Sequence, residues 1–232
     1  MVHTLVVLFD LDGTVLTFEG ASPGPGRTAL DATMRDLYAL DGATEGLRIA
    51  GGTDRAIARA MLERAGATAD DAAIARVLAA YVERLQCILR TRRYRPIGEV
   101  ARAVDALRAR GAVVGVATGN ARAGAKLKLA SAGLDGSFDL RQGAYGCEAE
   151  PREEIVRLAA ARCGARDGVA VVVVGDTEHD VRAARAVGAG VVGVAMTAAC
   201  RAELTAAGPD AIVETCGDAL VTAIEAAFLR AP

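Results

Sequence analysis

The chain has 232 residues, with 27 lysine and arginine residues against 29 acidic ones and a formal net charge of −2. Its 52% hydrophobic and 24% charged residues can build a core and exclude a disordered chain, and the near-neutral charge gives no electrostatic basis for binding nucleic acid. The length allows one large domain or a domain with a sizeable insertion.

Apolar runs without polar alternation predict buried parallel strands. In chain order these runs are residues 5–9, 112–117, 169–174, 190–195 and 211–213, the fourth interrupted by glycine and the fifth weaker. Helical patterns lie between the later runs, at residues 97–110, 122–132, 152–162, 181–186 and 217–229. Strands that alternate with helices predict an α/β fold with a Rossmann-like parallel sheet.

Residues 17–95 do not follow this alternation. A segment rich in glycine and proline at 21–26 leads into three helical patterns, at 27–40, 53–65 and 69–89, and we predict no strand in this region. The simplest organisation is a core domain made of residues 1–16 and 96–232. A helical cap domain at 17–95 is then inserted after the first strand, with linkers near 17–20 and 95–98.

The sequence favours a cytoplasmic location. The apolar stretch at residues 5–9 is too short for a signal peptide, and no apolar run approaches the ~20 residues of a membrane helix. The five cysteines are scattered without CxxC spacing, which favours reduced thiols over disulfides or a zinc site. We therefore expect a cytoplasmic protein with no membrane or nucleic-acid partner.

Polar residues follow the three strongest predicted strands. The first strand is followed by Asp10 and Asp12, the second by Thr118, Gly119 and Asn120, and the third by Gly175, Asp176 and Asp180. Because the carboxyl ends of parallel strands share one edge of the sheet, we expect these residues to lie together. Carboxylates that lie so close repel each other unless a cation joins them, and oxygen ligands without histidine suit Mg²⁺.

The segments "LFDLDGTV", "VATGN" and "VVVVGDTEHD" stand at these strand ends in this order. They resemble the first, second and fourth motifs of the haloacid dehalogenase (HAD) superfamily, and the helical insertion is similar to that family's type-one cap. The resemblance implies a phosphatase of the phosphoglycolate phosphatase-like kind. In it, Asp10 would attack phosphorus to form an aspartyl-phosphate, and Asp12 would protonate the leaving alkoxide and later activate water.

The resemblance also implies a metal site. Mg²⁺ would be bound by the carboxylates of Asp10 and Asp176 and by the backbone carbonyl of Asp12, and it would relieve the repulsion between an anionic nucleophile and an anionic substrate. Gly175 and Asp180 would support the metal ligands from outside.

The same resemblance implies how a small phosphorylated metabolite would bind. The Thr118 side chain and the backbone N–H groups of Gly119 and Asn120 would hold the transferring phosphoryl group. The acid at Asp12 favours a phosphatase over a dehalogenase, whose leaving group needs no proton. A phosphomutase, a dehalogenase and a binding or regulatory protein without turnover remain the alternatives. Phosphoglycolate-like acids and sugar phosphates both remain open as substrates, as does the oligomeric state.

The third motif of the family is usually a lysine before the helix that precedes the fourth motif. Here that region reads "YGCEAEPREEIVRLA" and has no lysine. Arg152 stands at the helix start, and its permanent charge can steady Asp10 and the phosphoryl oxygens. The alternative is that Arg152 pairs with one of the glutamates beside it, namely Glu148, Glu150 or Glu153.

Two lysines, Lys126 and Lys128, account for all the lysine in the chain. They are the rival candidates for the cation of the third motif. Lys126 is six residues past Asn120, which places it ~9 Å along its helix. We expect both lysines to face away from the site, on a solvated or packing surface.

The cap contains one segment that suits either of two roles. Gly51, Gly52, Thr53 and Asp54 combine a flexible turn with the pattern of a helix N-cap, and a plain helix cap is the simpler interpretation. In the functional alternative this loop closes over the site, and Gly52 and Thr53 contact the substrate.

Overall fold

The computed structural model describes residues 5–229; residues 1–4 and 230–232, which the predicted core domain includes, lie outside the described residues. The strands are β1 Leu5–Phe9, β2 Leu16–Phe18, β3 Tyr94–Pro96, β4 Val113–Thr118, β5 Gly143–Tyr145, β6 Ala170–Gly175, β7 Gly190–Val194 and β8 Ala211–Val213. The helices are α1 Pro25–Tyr38, α2 Asp54–Arg64, α3 Asp71–Ile88, α4 Val100–Ala109, α5 Arg122–Ser131, α6 Arg152–Arg162, α7 Glu178–Ala186, α8 Ala198–Ala207 and α9 Asp218–Phe228. Within residues 5–229, no helix combines the length and the apolarity that crossing a bilayer requires.

Six strands form one parallel sheet, in the order β5-β4-β1-β6-β7-β8. Successive residues of a strand face opposite sides of a sheet, and in β1 Val7 and Phe9 join the hydrophobic cluster that includes α4 and α9. Val6 and Leu8 join the cluster on the other side, with α6 and α7. The sheet is therefore covered by helices on both faces, which confirms the predicted α/β, Rossmann-like core.

Helices α1, α2 and α3 pack around a hydrophobic cluster of their own, which includes Leu30, Met61 and Tyr81. The chain enters this helical unit after β2 and leaves it through β3. These two short strands pair antiparallel, with Thr17 opposite Arg95. The entry and exit segments therefore lie side by side above the carboxyl end of the sheet.

The structure corrects the sequence analysis in four short regions. The prediction that residues 17–95 contain no strand is wrong, because β2 and β3 occupy the two linkers. Strands of three residues, including the unpredicted β5, are too short to show a period-two pattern. Helix α8 was also not predicted; Leu204 is its one buried residue, so it has no apolar stripe. The other predicted strands agree with the structure within one residue, and the predicted helices within three.

Candidate active site

The candidate active site lies where β1, β4 and β6 end. These strands are neighbours in the sheet, so Asp10, Thr118 and Asp176 meet at one edge, as the sequence analysis expected. A cavity of about 450 Å³ separates this edge from the helical unit and is lined from the helical side by residues that include Asp54 and Tyr81. The core and the helical unit thus both contribute to the walls.

Arg152 is the cation beside Asp10. It is the first residue of α6 and is 8% exposed, and its Nη2 lies 2.8 Å from Asp10 Oδ1. The same guanidinium donates to Asp180 Oδ1 from Nη2 at 2.7 Å and from Nε at 3.0 Å. Burial alone would lower the pKa of Arg152, but Asp10 and Asp180 raise it above its ordinary value.

The alternative pairing of Arg152 with a neighbouring glutamate is wrong. Glu148 accepts hydrogen bonds from Arg162, and Glu150 accepts them from Arg59. Arg152 instead turns inward from the start of α6, because the two buried carboxylates attract it. The structure therefore places a cation where the resemblance expects the lysine of the third motif.

The carboxylates of the site are crowded. Ligand atoms of Asp10, Asp176 and Asp180 all lie within 4.8 Å of one another. Burial raises the pKa of Asp10, and Asp180 and Asp12 add to this, whereas Arg152 opposes it. Burial also raises the pKa of Asp176, followed by repulsion from Asp10. Carboxylates that repel one another when ionised are suited to binding a hard divalent cation such as Mg²⁺, because its charge offsets the repulsion.

Asp180 is already satisfied by protein groups. Its Oδ1 accepts from Arg152, and its Oδ2 accepts from Thr177 Oγ1 at 2.7 Å and from the Thr177 backbone N–H at 3.1 Å. Gly175 makes room for this carboxyl group, since a Cβ at Gly175 would lie 2.3 Å from Asp180 Cγ. This leaves Asp10 and Asp176 as the carboxylates available to a metal, with Asp180 holding Arg152 in place.

Asp12 faces a second cation, Lys128. Lys128 Nζ lies 2.6 Å from Asp12 Oδ2 and 2.5 Å from Asn120 Oδ1. Asn120 Nδ2 donates to the same Asp12 oxygen at 2.7 Å and to Thr118 Oγ1 at 2.9 Å. Asp12, Lys128, Asn120 and Thr118 therefore form one hydrogen-bonded network on the cavity wall.

The expectation that Lys128 faces away from the site is wrong. Side chains of a helix lean toward its N-terminus, and the start of α5 is the end that faces the site. The long stem of Lys128 can thus lie along buried apolar surface and carry its ammonium group back to Asp12. Lys126 is exposed, as expected.

The loop of residues 51–54 serves both as a helix cap and as a contact with the core. Thr53 Oγ1 accepts from the Ala56 N–H at 3.3 Å, which caps α2. A Cβ at Gly119 would lie 2.0 Å from the Gly52 carbonyl oxygen, so the glycine of the second motif permits this close approach. Gly52 also lines the cavity, whereas Thr53 donates from its hydroxyl to the backbone of Glu150 at 3.2 Å.

Asp54 was included in the predicted loop of residues 51–54 but not among the candidate site residues. It is 7% exposed, its N–H donates to the Gly119 carbonyl at 2.6 Å, and its Oδ2 accepts from the Ala121 N–H at 2.7 Å. An acidic residue of the helical unit thus caps the start of α5 in the core. An aspartate after a predicted N-cap threonine is common in a first helical turn, so nothing in the sequence indicated this contact.

We expect Asp54→Asn to stabilise the protein at pH 8 and to change its stability little at pH 4. The pKa of Asp54 rises from 3.8 to about 6, because burial outweighs the attraction of Lys128. Folding then takes up a proton between these values, and stability falls as the pH rises through them. The full rise corresponds to roughly 3 kcal/mol above pH 6. Asn avoids this cost and can still accept the hydrogen bond from Ala121.

Urea unfolding at pH 4 and pH 8 measures this effect. Asp105→Asn, on the exposed side of α4, is the matched control and should show no such difference. A loss of stability in Asp54→Asn at pH 8 would contradict the prediction, since it would mean that the Asp54 carboxylate stabilises the fold at that pH.

The fold and the site define an α/β enzyme whose chemistry centres on carboxylates at the edge of a parallel sheet. Residues 4–188 match the family model of haloacid dehalogenase-like hydrolases, and the chain belongs to this family. A curated relative, "Probable phosphatase IndB" of Dickeya dadantii (strain 3937), is 38% identical over 110 residues, which are 47% of this chain and 47% of the relative. The match therefore spans about half the length of that relative.

Solved structures share the fold at low identity. A hydrolase from Pseudomonas syringae has a TM-score of 0.68 at 20% identity, covering 92% of this chain and 94% of that one. CbbY from Rhodobacter sphaeroides in complex with phosphate has a TM-score of 0.67 at 20% identity, covering 90% and 93%. A predicted phosphoglycolate phosphatase from Haemophilus somnus 129pt has a TM-score of 0.64 at 20% identity, covering 95% and 97%.

Proposed function

We propose that this chain is a Mg²⁺-dependent phosphatase that hydrolyses a small phosphorylated metabolite through an aspartyl-phosphate on Asp10. The names of its relatives, a probable phosphatase and a predicted phosphoglycolate phosphatase, support the reaction class. The observation that carries the proposal is the placement of Asp12. Its carboxyl group lies on the cavity wall two residues from Asp10, where a phosphoester needs a proton donor for its leaving oxygen.

Asp10 is the nucleophile in this proposal. Arg152 holds its Oδ1 and offers positive charge to the phosphoryl oxygens as they approach. Thr118 is placed to bind the same oxygens: its Oγ1 accepts from Asn120 Nδ2, so its own O–H remains free to donate. The backbone N–H group of Gly119 adds to this near the start of α5, and that of Asn120, which donates to Thr118 Oγ1 at 3.3 Å, would turn to the phosphoryl group when it binds.

The residues present fit a metal at the same edge. The carboxylates of Asp10 and Asp176 and the backbone carbonyl of Asp12 are the groups that would bind Mg²⁺, which supplies charge neutralisation between the anionic nucleophile and the anionic phosphate. Asp180 holds Arg152 beside Asp10, and Gly175 leaves room for the Asp180 carboxyl group. The two carboxylates then no longer repel each other across the site.

Two alternatives receive less support. A dehalogenase does not need the acid that Asp12 provides. A protein without turnover was suggested by the missing lysine of the third motif, yet Arg152 lies against Asp10 in its place. No contact in the described residues favours transfer of the phosphoryl group to a second sugar hydroxyl over its transfer to water. The experiment below therefore also tests for a phosphomutase.

Removal of the metal tests the proposal. We expect phosphate release from a panel of p-nitrophenyl phosphate, phosphoglycolate and sugar phosphates in Mg²⁺, its loss in EDTA, and its return when Mg²⁺ is added in excess. Release that survives EDTA, or no release from any substrate, would contradict the proposal. Isomerisation of a sugar phosphate without release of phosphate would identify the phosphomutase instead.

A further inference from the structure

Lys128 is a buried cation to which the proposed reaction assigns no role. It is 5% exposed, and burying a lysine is unfavourable unless its charge is compensated. Asp12 supplies that compensation at 2.6 Å, and Asp54 adds to it from the helical unit, since its charge raises the pKa of Lys128. The ammonium group thus pairs with an acidic residue of the core and is also stabilised by the charge of one in the helical unit.

The Lys128 ammonium group is occupied by protein groups. Nζ contacts Asp12 Oδ2 and Asn120 Oδ1. A Cβ built on Gly26 would lie 3.5 Å from Nζ, 3.4 Å from Tyr94 Oη and 3.6 Å from Tyr81 Oη, and Nζ lies 5.4 Å from the centre of the Tyr94 ring, so both tyrosines lie near the ammonium group. An ammonium group has three N–H donors, and Asp12 and Asn120 accept two of them. The contacts that the structure gives for Lys128 are therefore with protein atoms of the site.

The contacts distinguish the two oxygens of Asp12. Lys128 Nζ and Asn120 Nδ2 both donate to Oδ2, at 2.6 Å and 2.7 Å. An oxygen that accepts two N–H donors has no favourable place for a proton of its own, so a proton on this carboxyl group belongs on Oδ1. The side chain is 42% exposed and lines the cavity, which allows Oδ1 to meet a substrate.

We infer that Lys128 is a positioning residue: it fixes the Asp12 carboxyl group so that Oδ1 carries the proton and delivers it to the leaving oxygen. The inference rests on the proposed function. As the bond from Asp10 to phosphorus forms and the bond from phosphorus to the leaving oxygen breaks, the proton moves from Asp12 Oδ1 to that oxygen. Asp12 is left as a carboxylate whose Oδ2 remains bound to Lys128, and it later accepts a proton from the attacking water at Oδ1.

Labelling of the two lysines tests the placement of Lys128 without any activity. Acetic anhydride, with peptide mass spectrometry, should modify the exposed Lys126 in the native protein and leave Lys128 at least about tenfold less modified. Both should react at similar rates in urea, where pairing and burial are lost. Equal labelling in the native protein would overturn the inference, whether or not a variant of Lys128 folds.

The leaving group tests the role. A general acid matters most when the leaving oxygen is basic, so we compare phenyl phosphate with p-nitrophenyl phosphate, whose leaving group departs without a proton. Lys128→Met should lower kcat/KM for phenyl phosphate about tenfold or more beyond its effect on p-nitrophenyl phosphate. Lys126→Met, the matched control, should change neither.

The outcomes separate this inference from the proposed function. An equal loss on both esters in a folded Lys128→Met variant would mean that Lys128 acts on structure alone and would overturn its positioning role. If the wild-type protein releases phosphate from neither ester, the proposed function is contradicted, and Lys128 has no proton transfer to support. The labelling result would still show whether Lys128 is buried and paired with Asp12. A selective loss on phenyl phosphate supports both.

Discussion

Asp10→Asn is expected to abolish phosphate release, by a factor on the order of 10⁴ or more, because the variant has no carboxylate to form the covalent intermediate. The side chain keeps its size and still offers an oxygen to Arg152. The fold should therefore survive. Burial and neighbouring acids raise the pKa of Asp10, so an uncharged amide at this position is expected to leave the free energy of unfolding unchanged or raised at pH 8.

Acid quenching after mixing with ³²P-labelled substrate measures the intermediate directly. The wild-type protein should carry label on the peptide that contains Asp10, and Asp10→Asn should carry none. Asp105→Asn, far from the cavity on the exposed side of α4, should behave as wild type. Label on another residue, or release by Asp10→Asn at more than a small fraction of the wild-type rate, would exclude Asp10 as the nucleophile.

The sequence predicted the part of the site that follows from sheet topology. Asp10 and Asp176 come directly after apolar strands and Thr118 ends one, and parallel neighbouring strands bring such residues to one edge whatever the loops do. Arg152 was found from the family resemblance, because it stands at the start of the helix where the lysine of the third motif is expected. In these cases position along a regular element determines position in space.

The part that the sequence did not predict depends on side-chain direction and on docking. Lys128 reaches Asp12 across 116 residues of chain because its stem runs back along α5, whereas counting rise per residue placed the lysines beyond the site. Asp54 meets Ala121 across 67 residues, and only the docking of the helical unit on the core makes that contact. The spacing of apolar residues along a helix predicts neither the contact of Lys128 with Asp12 nor that of Asp54 with Ala121.

Each of the two cations of the site therefore pairs with acidic residues of its own. Arg152 contacts Asp10 and Asp180, and Lys128 contacts Asp12, while the charge of Asp54 also raises the pKa of Lys128. Removing Arg152 would leave two buried carboxylates in a poorly solvated place, whereas Lys128 is itself the buried partner of the half-exposed Asp12. The net charge of −2 for the whole chain gives no indication that these charges are paired locally.

Arg152→Ala is expected to lower both stability and turnover. It leaves Asp10 and Asp180, which are 6% and 2% exposed, without their cation, and breaking a buried ion pair in this way costs about 3–5 kcal/mol. Because Mg²⁺ would restore positive charge beside Asp10, the loss of stability in urea unfolding should be larger in EDTA than in Mg²⁺. This difference in the size of the loss separates lost charge from lost packing, which Mg²⁺ would not repair.

Turnover of the same variants shows whether Arg152 takes part in the reaction. Among variants that remain folded in Mg²⁺, Arg152→Ala should lower kcat about 100-fold or more, whereas Lys126→Ala should leave kcat unchanged. Arg152→Lys should fall between wild type and Arg152→Ala, because one ammonium group can face Asp10 but cannot also reproduce the two N–H bonds from Nε and Nη2 to Asp180. Small and equal effects of Arg152→Ala and Lys126→Ala would refute the assignment, since the cation beside Asp10 would then support only the fold.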